Sequence, residues 1–134
     1  MGARLVSIKA QDNAQNKVRP IIEQTRNGDL LCYESTTGRW FRSSEKAVRS
    51  SIDLLNGITT DDNKSYIGVD TLLNCLDLYG TVDQRYGWRL HTIPFDMNLF
   101  KIKIYQNGFQ DMEEPVLVIY STIPAIRDYD KEEV

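Results

Sequence analysis

A chain of 134 residues, 41% hydrophobic and 26% charged, has the size and make-up of one ordinary globular domain with a single core. No apolar run approaches the roughly 20 residues of a membrane-spanning helix, and the start MGARLVSIKAQDNAQNK has neither a signal-peptide cleavage pattern nor, with Val6, the Ser or Thr of a myristoylation pattern, so no secretory leader and no membrane partner are expected. The net charge of −3 argues against general nucleic-acid binding, which needs clustered cations to neutralise phosphates.

Charge is uneven. Residues 1 to 50 carry nine Lys and Arg against five Asp and Glu, and the rest carries seven against fourteen. That asymmetry suits contacts between copies or with an oppositely charged partner. Ala3 to Ala10 alternates loosely as a half-buried strand does, and Gln11 to Lys17 is a polar loop. Asn27-Gly28 is the strongest short-range turn signal: it predicts a type I′ hairpin between Ile21–Thr25 and Leu30–Glu34. A turn at Ser35–Gly38 brings Arg39-Trp40-Phe41-Arg42 back alongside, which makes a three-strand meander.

Ser43 or Ser44 is placed to cap a helix with Glu45 in its first turn. Ala47, Val48, Ser51, Ile52 and Leu55 form its apolar stripe, and Gly57 is expected to close it. ITTDDNKS (58–65) is a loop; it lacks the central Gly and terminal Glu of a calcium loop. Tyr66-Ile67-Gly68 predicts a brief edge strand. Asp70 is expected to cap a second helix, Thr71 to Tyr79, which Gly80 ends. Arg85 to Ile93 reads as a loop entering a strand stopped by Pro94. Phe100, Ile102 and Ile104 alternate with Lys101, Lys103 and Tyr105, a strand with one buried face. Asn107-Gly108 signals another hairpin, and Val116–Ser121, apolar on both faces, suits a central strand. From about residue 122 the chain has no core pattern, which predicts an acidic tail, mobile or docked. The expected fold is a single α+β domain over 1–134, with a mostly antiparallel sheet of five to six strands and two helices packed on one face.

Cys32 and Cys75 fall in apolar neighbourhoods of a strand and a helix, where reduced cysteines act as small hydrophobes. His91 is the only histidine. Any Ser-His-Asp or Cys-His arrangement would need it, yet no nucleophile motif accompanies it, and one His with two unspaced Cys does not make a zinc site. Asp53, Asp70 and Asp77 leave a carboxylate-based metal-dependent hydrolase or nuclease as the enzymatic alternative. The glycines are absorbed by turns and caps, with no phosphate loop. No catalytic residue, cofactor or metal ligand is assigned. The distinctive set is Tyr33, Trp40, Tyr86, Trp88, Tyr105 and Tyr120, interleaved with Arg39, Arg42, Arg85 and Arg89; the candidate interaction surface is Tyr33, Arg39, Trp40, Arg42, Arg85, Tyr86, Trp88 and Arg89. Such a set arises where aromatics pack a sheet and their arginines stay solvated. Trp, Tyr and Arg are also enriched at the centres of protein interfaces, and the same composition suits a stacking platform for single-stranded nucleic acid, the second alternative.

The segment Leu31-Cys32-Tyr33-Glu34-Ser35-Thr36-Thr37-Gly38-Arg39-Trp40-Phe41-Arg42-Ser43, a helix ending in Leu55-Asn56, a leucine-rich helix and then Gly87-Trp88 resembles a domain of unknown function. That domain recurs in phage and prophage proteins of Gram-positive bacteria. The resemblance covers about residues 30–121. Leu76-Asp77-Leu78 stands where the family pattern has Leu-Gly-Leu, and the ITTDDNK loop replaces its Arg-Gly. The resemblance implies a phage origin and an α+β fold, and it assigns no activity. Together these readings lead to the expectation of a non-enzymatic protein acting through contacts with a phage protein, a host protein or itself. Its place would be the virion or the bacterial host cytoplasm.

Overall fold

The computed structural model describes residues 20–61, 63–79 and 83–131. The strand expected at Ala3–Ala10, the loop from Gln11 to Lys17 and the Gly80 cap lie outside the described residues.

Strands β2 (Leu30–Glu34) and β3 (Arg39–Ser43) form the expected hairpin. Gly38 holds φ +73 in the turn and donates its N–H to the Glu34 carbonyl at 2.9 Å. The strand before them, β1 (Ile22–Gln24), corrects the expected meander: it pairs parallel with β3, not antiparallel with β2. The cause is local. The Thr25 N–H and hydroxyl both donate to the Arg42 carbonyl, at 3.2 and 2.6 Å, so the chain wraps around the end of β3 before entering β2. Gly28, at φ +146, lies so close to this end that a Cβ would sit 2.7 Å from the Ser43 carbonyl oxygen. Asn27-Gly28 therefore serves a close backbone approach and not a two-residue turn.

Helix α1 (Glu45–Thr59) follows. The Ser44 hydroxyl accepts the Ala47 N–H at 3.1 Å, and Val48, Ile52 and Leu55 are buried. Gly57 does not close the helix, contrary to expectation. It sits inside the last turn, whose carbonyls are taken by threonine hydroxyls: Thr59 to Asn56 and Thr60 to Gly57. After β4 (Tyr66–Gly68), helix α2 spans Val69–Cys75, shorter than expected, with Gly68 at its N-cap in place of Asp70. It is stopped at Asp77, which takes φ +60 while Leu78 N–H bonds the Leu73 carbonyl and Asp77 N–H the Asn74 carbonyl. This is a Schellman cap with an aspartate in the usual glycine position.

Next come β5 (Tyr86–Arg89), a short 3₁₀ turn over Leu90–Thr92, β6 (Phe100–Tyr105), β7 (Val116–Ser121) and β8 (Ile126–Arg127). The main sheet has the order β1-β3-β2-β7-β6, and β4-β5-β8 form a smaller antiparallel sheet. The α+β class stands. The main sheet is mixed, because β1–β3 and β2–β7 are parallel pairs, and the remaining strands form a separate sheet. β7 is interior, as its two apolar faces required.

One face of the main sheet (Cys32, Phe41, Leu117, Ile119) joins both helices and the small sheet's Ile67 and Trp88 in the principal core. The opposite face carries a smaller cluster of Leu31, Trp40, Val116 and Val118, over which the β6–β7 loop lays Phe109 and Met112. The segment after β7 is docked. β8 pairs with Tyr86 and Gly87, Asp128 N–H bonds the Arg85 carbonyl at 2.7 Å, and the Tyr129 ring covers the facing pair Gly68 and Gly87.

Candidate functional site

The fold divides the eight singled-out residues among three places. Tyr33, Trp40 and Arg42 lie on the open face of the main sheet, as the pairings Tyr33↔Trp40 and Leu31↔Arg42 require. Their rings are packed on one another: Tyr33 lies 4.7 Å from Trp40 and 5.5 Å from Phe109, and Trp40 is only 6% exposed. Arg42 is held by both carboxylate oxygens of Glu114, at 2.8 and 3.3 Å, and by the Asp29 carbonyl. That hydrogen-bonded pairing raises the Arg42 pKa and lowers that of Glu114.

Trp88 and Arg89 belong to the interior and the tail. Trp88 is 1% exposed, stands edge-on to Phe100 at 5.1 Å and donates its indole N–H to the Ile123 carbonyl at 2.7 Å. As part of an exposed interface it is a correction: strand alternation turns it into the core. Arg89 donates to the carbonyls of Tyr129 and Lys131, both at 3.1 Å, and so holds the docked tail.

Arg39 and Tyr86 do meet, across a cleft of about 620 Å³ where the two sheets join. Its walls include Thr36 and Thr37 of the β2–β3 turn, Asp83, and the Pro124-Ala125 corner. Tyr86, 38% exposed, stands at the rim, opposite Arg127 in the β5–β8 pairing. Arg39 is braced by two bonds to Glu23, at 2.7 and 2.8 Å, and one to the Tyr79 carbonyl at 2.6 Å. Arg85 grips Asp83 through its side chain at 2.7 and 2.9 Å and holds that carboxyl down at a pKa of about 2, with further help from its backbone N–H. The pair is exposed, and its Asp83 member lines the cleft.

Behind the cleft sits Glu34, fully buried, whose carboxylate accepts the N–H groups of Thr36 and Thr37 at 2.7 and 3.0 Å and the Thr37 hydroxyl at 2.7 Å. Bonds of this kind to a charged acceptor are worth about 1.5–3 kcal/mol each, so the turn is rigid. Thr36 lines the cleft, but its hydroxyl oxygen is buried beneath the wall and, among the described residues, has no partner. Sequence inspection missed Glu34 and Thr36. The available signal was an acid directly before a Ser-Thr-Thr-Gly turn, the usual acceptor for loose turn amides.

His91 lies in the 3₁₀ turn and not in a strand. It is exposed on the lip of an open hollow that Asp61 and Ser65 also line, and among the described residues its ring makes no hydrogen bond. Both thiols are free; burial pushes Cys32 up to about 12 and raises Cys75, so neither is poised as a thiolate. Among the described residues no group of three or more His, Cys, Asp or Glu is placed to hold a metal, and no helix is long and apolar enough to cross a membrane.

The class that fold and site define is an α+β domain in which a mixed five-stranded sheet and a small antiparallel sheet share one core and enclose a cleft at their junction. Compared with protein-family models, with curated proteins and with solved structures, the chain matches none.

Proposed function

We propose that this chain is a phage-derived, non-enzymatic protein that works by gripping another protein, as a virion-associated component or as a small modulator of a host factor. The observation that carries the reading is the cleft, which Arg39 and Tyr86 line together beside a turn braced by Glu34. A rigid wall with a Tyr and an Arg at its rim loses little side-chain entropy on binding, which is how such residues come to dominate interface energies. Asp77 supports the phage resemblance. It occupies a left-handed position, which is where the family pattern has glycine.

The test is capture of phage and host proteins by the purified chain, side by side with Tyr86→Ser. Specific capture by the parent chain that is lost in the variant, with an unchanged circular dichroism spectrum, is the expected result. A strictly monomeric chain that captures nothing from either source ends the proposal.

A nucleic-acid reading has one favouring observation, the open sheet face with Tyr33, Tyr105 and Tyr120 beside Lys101, Lys103 and Arg42. Its rings are largely stacked on each other under Phe109 and Arg42 is neutralised by Glu114, which leaves two exposed lysines but little stacking surface. Steep salt dependence of oligonucleotide binding would support it.

A further inference from the structure

The outer edge of β6 is the longest free edge of either sheet among the described residues, and its hydrogen-bonding parity can be read directly. Leu99 turns its carbonyl toward β7, accepting the Thr122 N–H at 2.8 Å. Phe100 turns the other way. Its N–H donates to the Asn56 side-chain oxygen at 3.0 Å and its carbonyl accepts the Asn56 amide at 3.1 Å. In an antiparallel ladder this alternates along the strand, so the N–H and C=O of Ile102 and Ile104 also point outward. Asn56, on the last turns of α1, thus does at Phe100 what a residue of a neighbouring strand would do, and leaves the next two outward positions open.

We propose that this edge takes an extended segment of a partner protein as a sixth strand, and that the segment alternates acidic with apolar side chains. The inference rests on the protein-contact reading above but uses a different surface from the cleft. Strand addition draws its affinity from main-chain bonds and its selectivity from the alternating side chains beside them. Here Lys101 and Lys103 are exposed on the open face, and Ile102 and Ile104 are half-buried on the helix face. Directly opposed side chains in adjacent strands lie about 5 Å apart, where opposite charges attract and like charges repel. An incoming strand therefore gains from carboxylates across from the two lysines and from apolar groups across from the two isoleucines. The group across from Ile102 has room beside it, because Ile52 of α1 forms with Phe100 and Ile102 the apolar part of a groove of about 270 Å³ along this edge. Arg49, Asp53 and Asn56 line that groove with polar groups.

Edge lysines also deter chance pairing between sheets. That same property rules against a second copy of this chain, since two β6 edges brought together antiparallel would set lysines against lysines. An acidic strand turns the deterrent into a selection rule.

The experiment uses the full chain, labelled for NMR, with two synthetic peptides, Thr-Glu-Val-Glu-Val-Glu-Thr and Thr-Lys-Val-Lys-Val-Lys-Thr. The acidic peptide should slow hydrogen exchange of the Ile102 and Ile104 amides, and added salt should weaken it. The double variant Lys101→Glu/Lys103→Glu, altered only at exposed positions, should bind the acidic peptide at least ~tenfold more weakly and the basic one more tightly. The proposal is overturned if the acidic peptide leaves those two amides unprotected, or if both peptides bind the parent chain equally. It is also overturned if the two amides are already protected in the free chain, whether at every dilution, which means a segment of the same chain covers the edge, or only at high protein concentration, which means a second copy does. Failure of the peptides together with partner capture that still depends on Tyr86 would remove the edge proposal and leave the cleft reading standing.

Discussion

At the scale of single residues, the informative positions are those where backbone geometry and side-chain chemistry disagree. Asp77 holds φ +60, a region that costs an ordinary L-residue about 1–2 kcal/mol, and offsets part of that cost through the bond its carboxylate accepts from Asn27 at 2.7 Å. Asp77→Val, with neither tolerance for the conformation nor the bond, is expected to lower the unfolding free energy by about 1–2 kcal/mol in urea. Asp77→Gly relieves the backbone as it removes the bond and should stay within ~0.5 kcal/mol of the parent. The reverse order would mean that the cap is not what ends α2. Glu34 shows the other kind of disagreement, a carboxylate buried with no ion-pair partner among the described residues, acceptable because three donors from the next turn surround it.

At the scale of elements, the docking of β8 depends on a glycine pair. Gly68 and Gly87 face each other across β4 and β5, and the Tyr129 ring lies over both. A Cβ at Gly87 would come 2.8 Å from a Tyr129 ring carbon and press on the Ile67 carbonyl. Gly87→Ala should therefore cost about 1–3 kcal/mol. It should also loosen the segment after Ser121, read as faster exchange of the Asp128 amide, which bonds the Arg85 carbonyl. An unchanged Asp128 exchange rate in that variant would show that Trp88 and Arg89 hold the tail without the ring.

At the scale of the whole molecule, the two sheets share one core, since Cys32 and Phe41 of the main sheet and Ile67 and Trp88 of the small one belong to the same buried cluster as both helices. One shared core predicts one cooperative transition. Trp40 reports the open face of the main sheet and Trp88 the junction, so the single-tryptophan variants Trp40→Phe and Trp88→Phe should unfold with the same urea dependence by fluorescence as by circular dichroism. Separated midpoints would mean that the small sheet and the docked segment melt on their own.

By itself the sequence determined what local physics controls. The α1 cap at Ser44 and its stripe, the β2–β3 hairpin, the one-faced alternation of β6 and the two-faced burial of β7 all follow from spacing within a dozen residues. Tertiary structure decided which strand each hairpin signal serves. Asn27-Gly28 reads as a tight turn, yet whether β1 lies beside β2 or crosses to β3 depends on Thr25 meeting the Arg42 carbonyl, a contact between residues 17 apart. It likewise decided that Trp88 faces inward, that Arg39 and Tyr86 meet at a cleft while Arg42 does not, and that Asn56 reaches the backbone of Phe100, 44 residues on. Periodicity carries the direction of a side chain relative to its own element; only the packing of elements carries what stands opposite it.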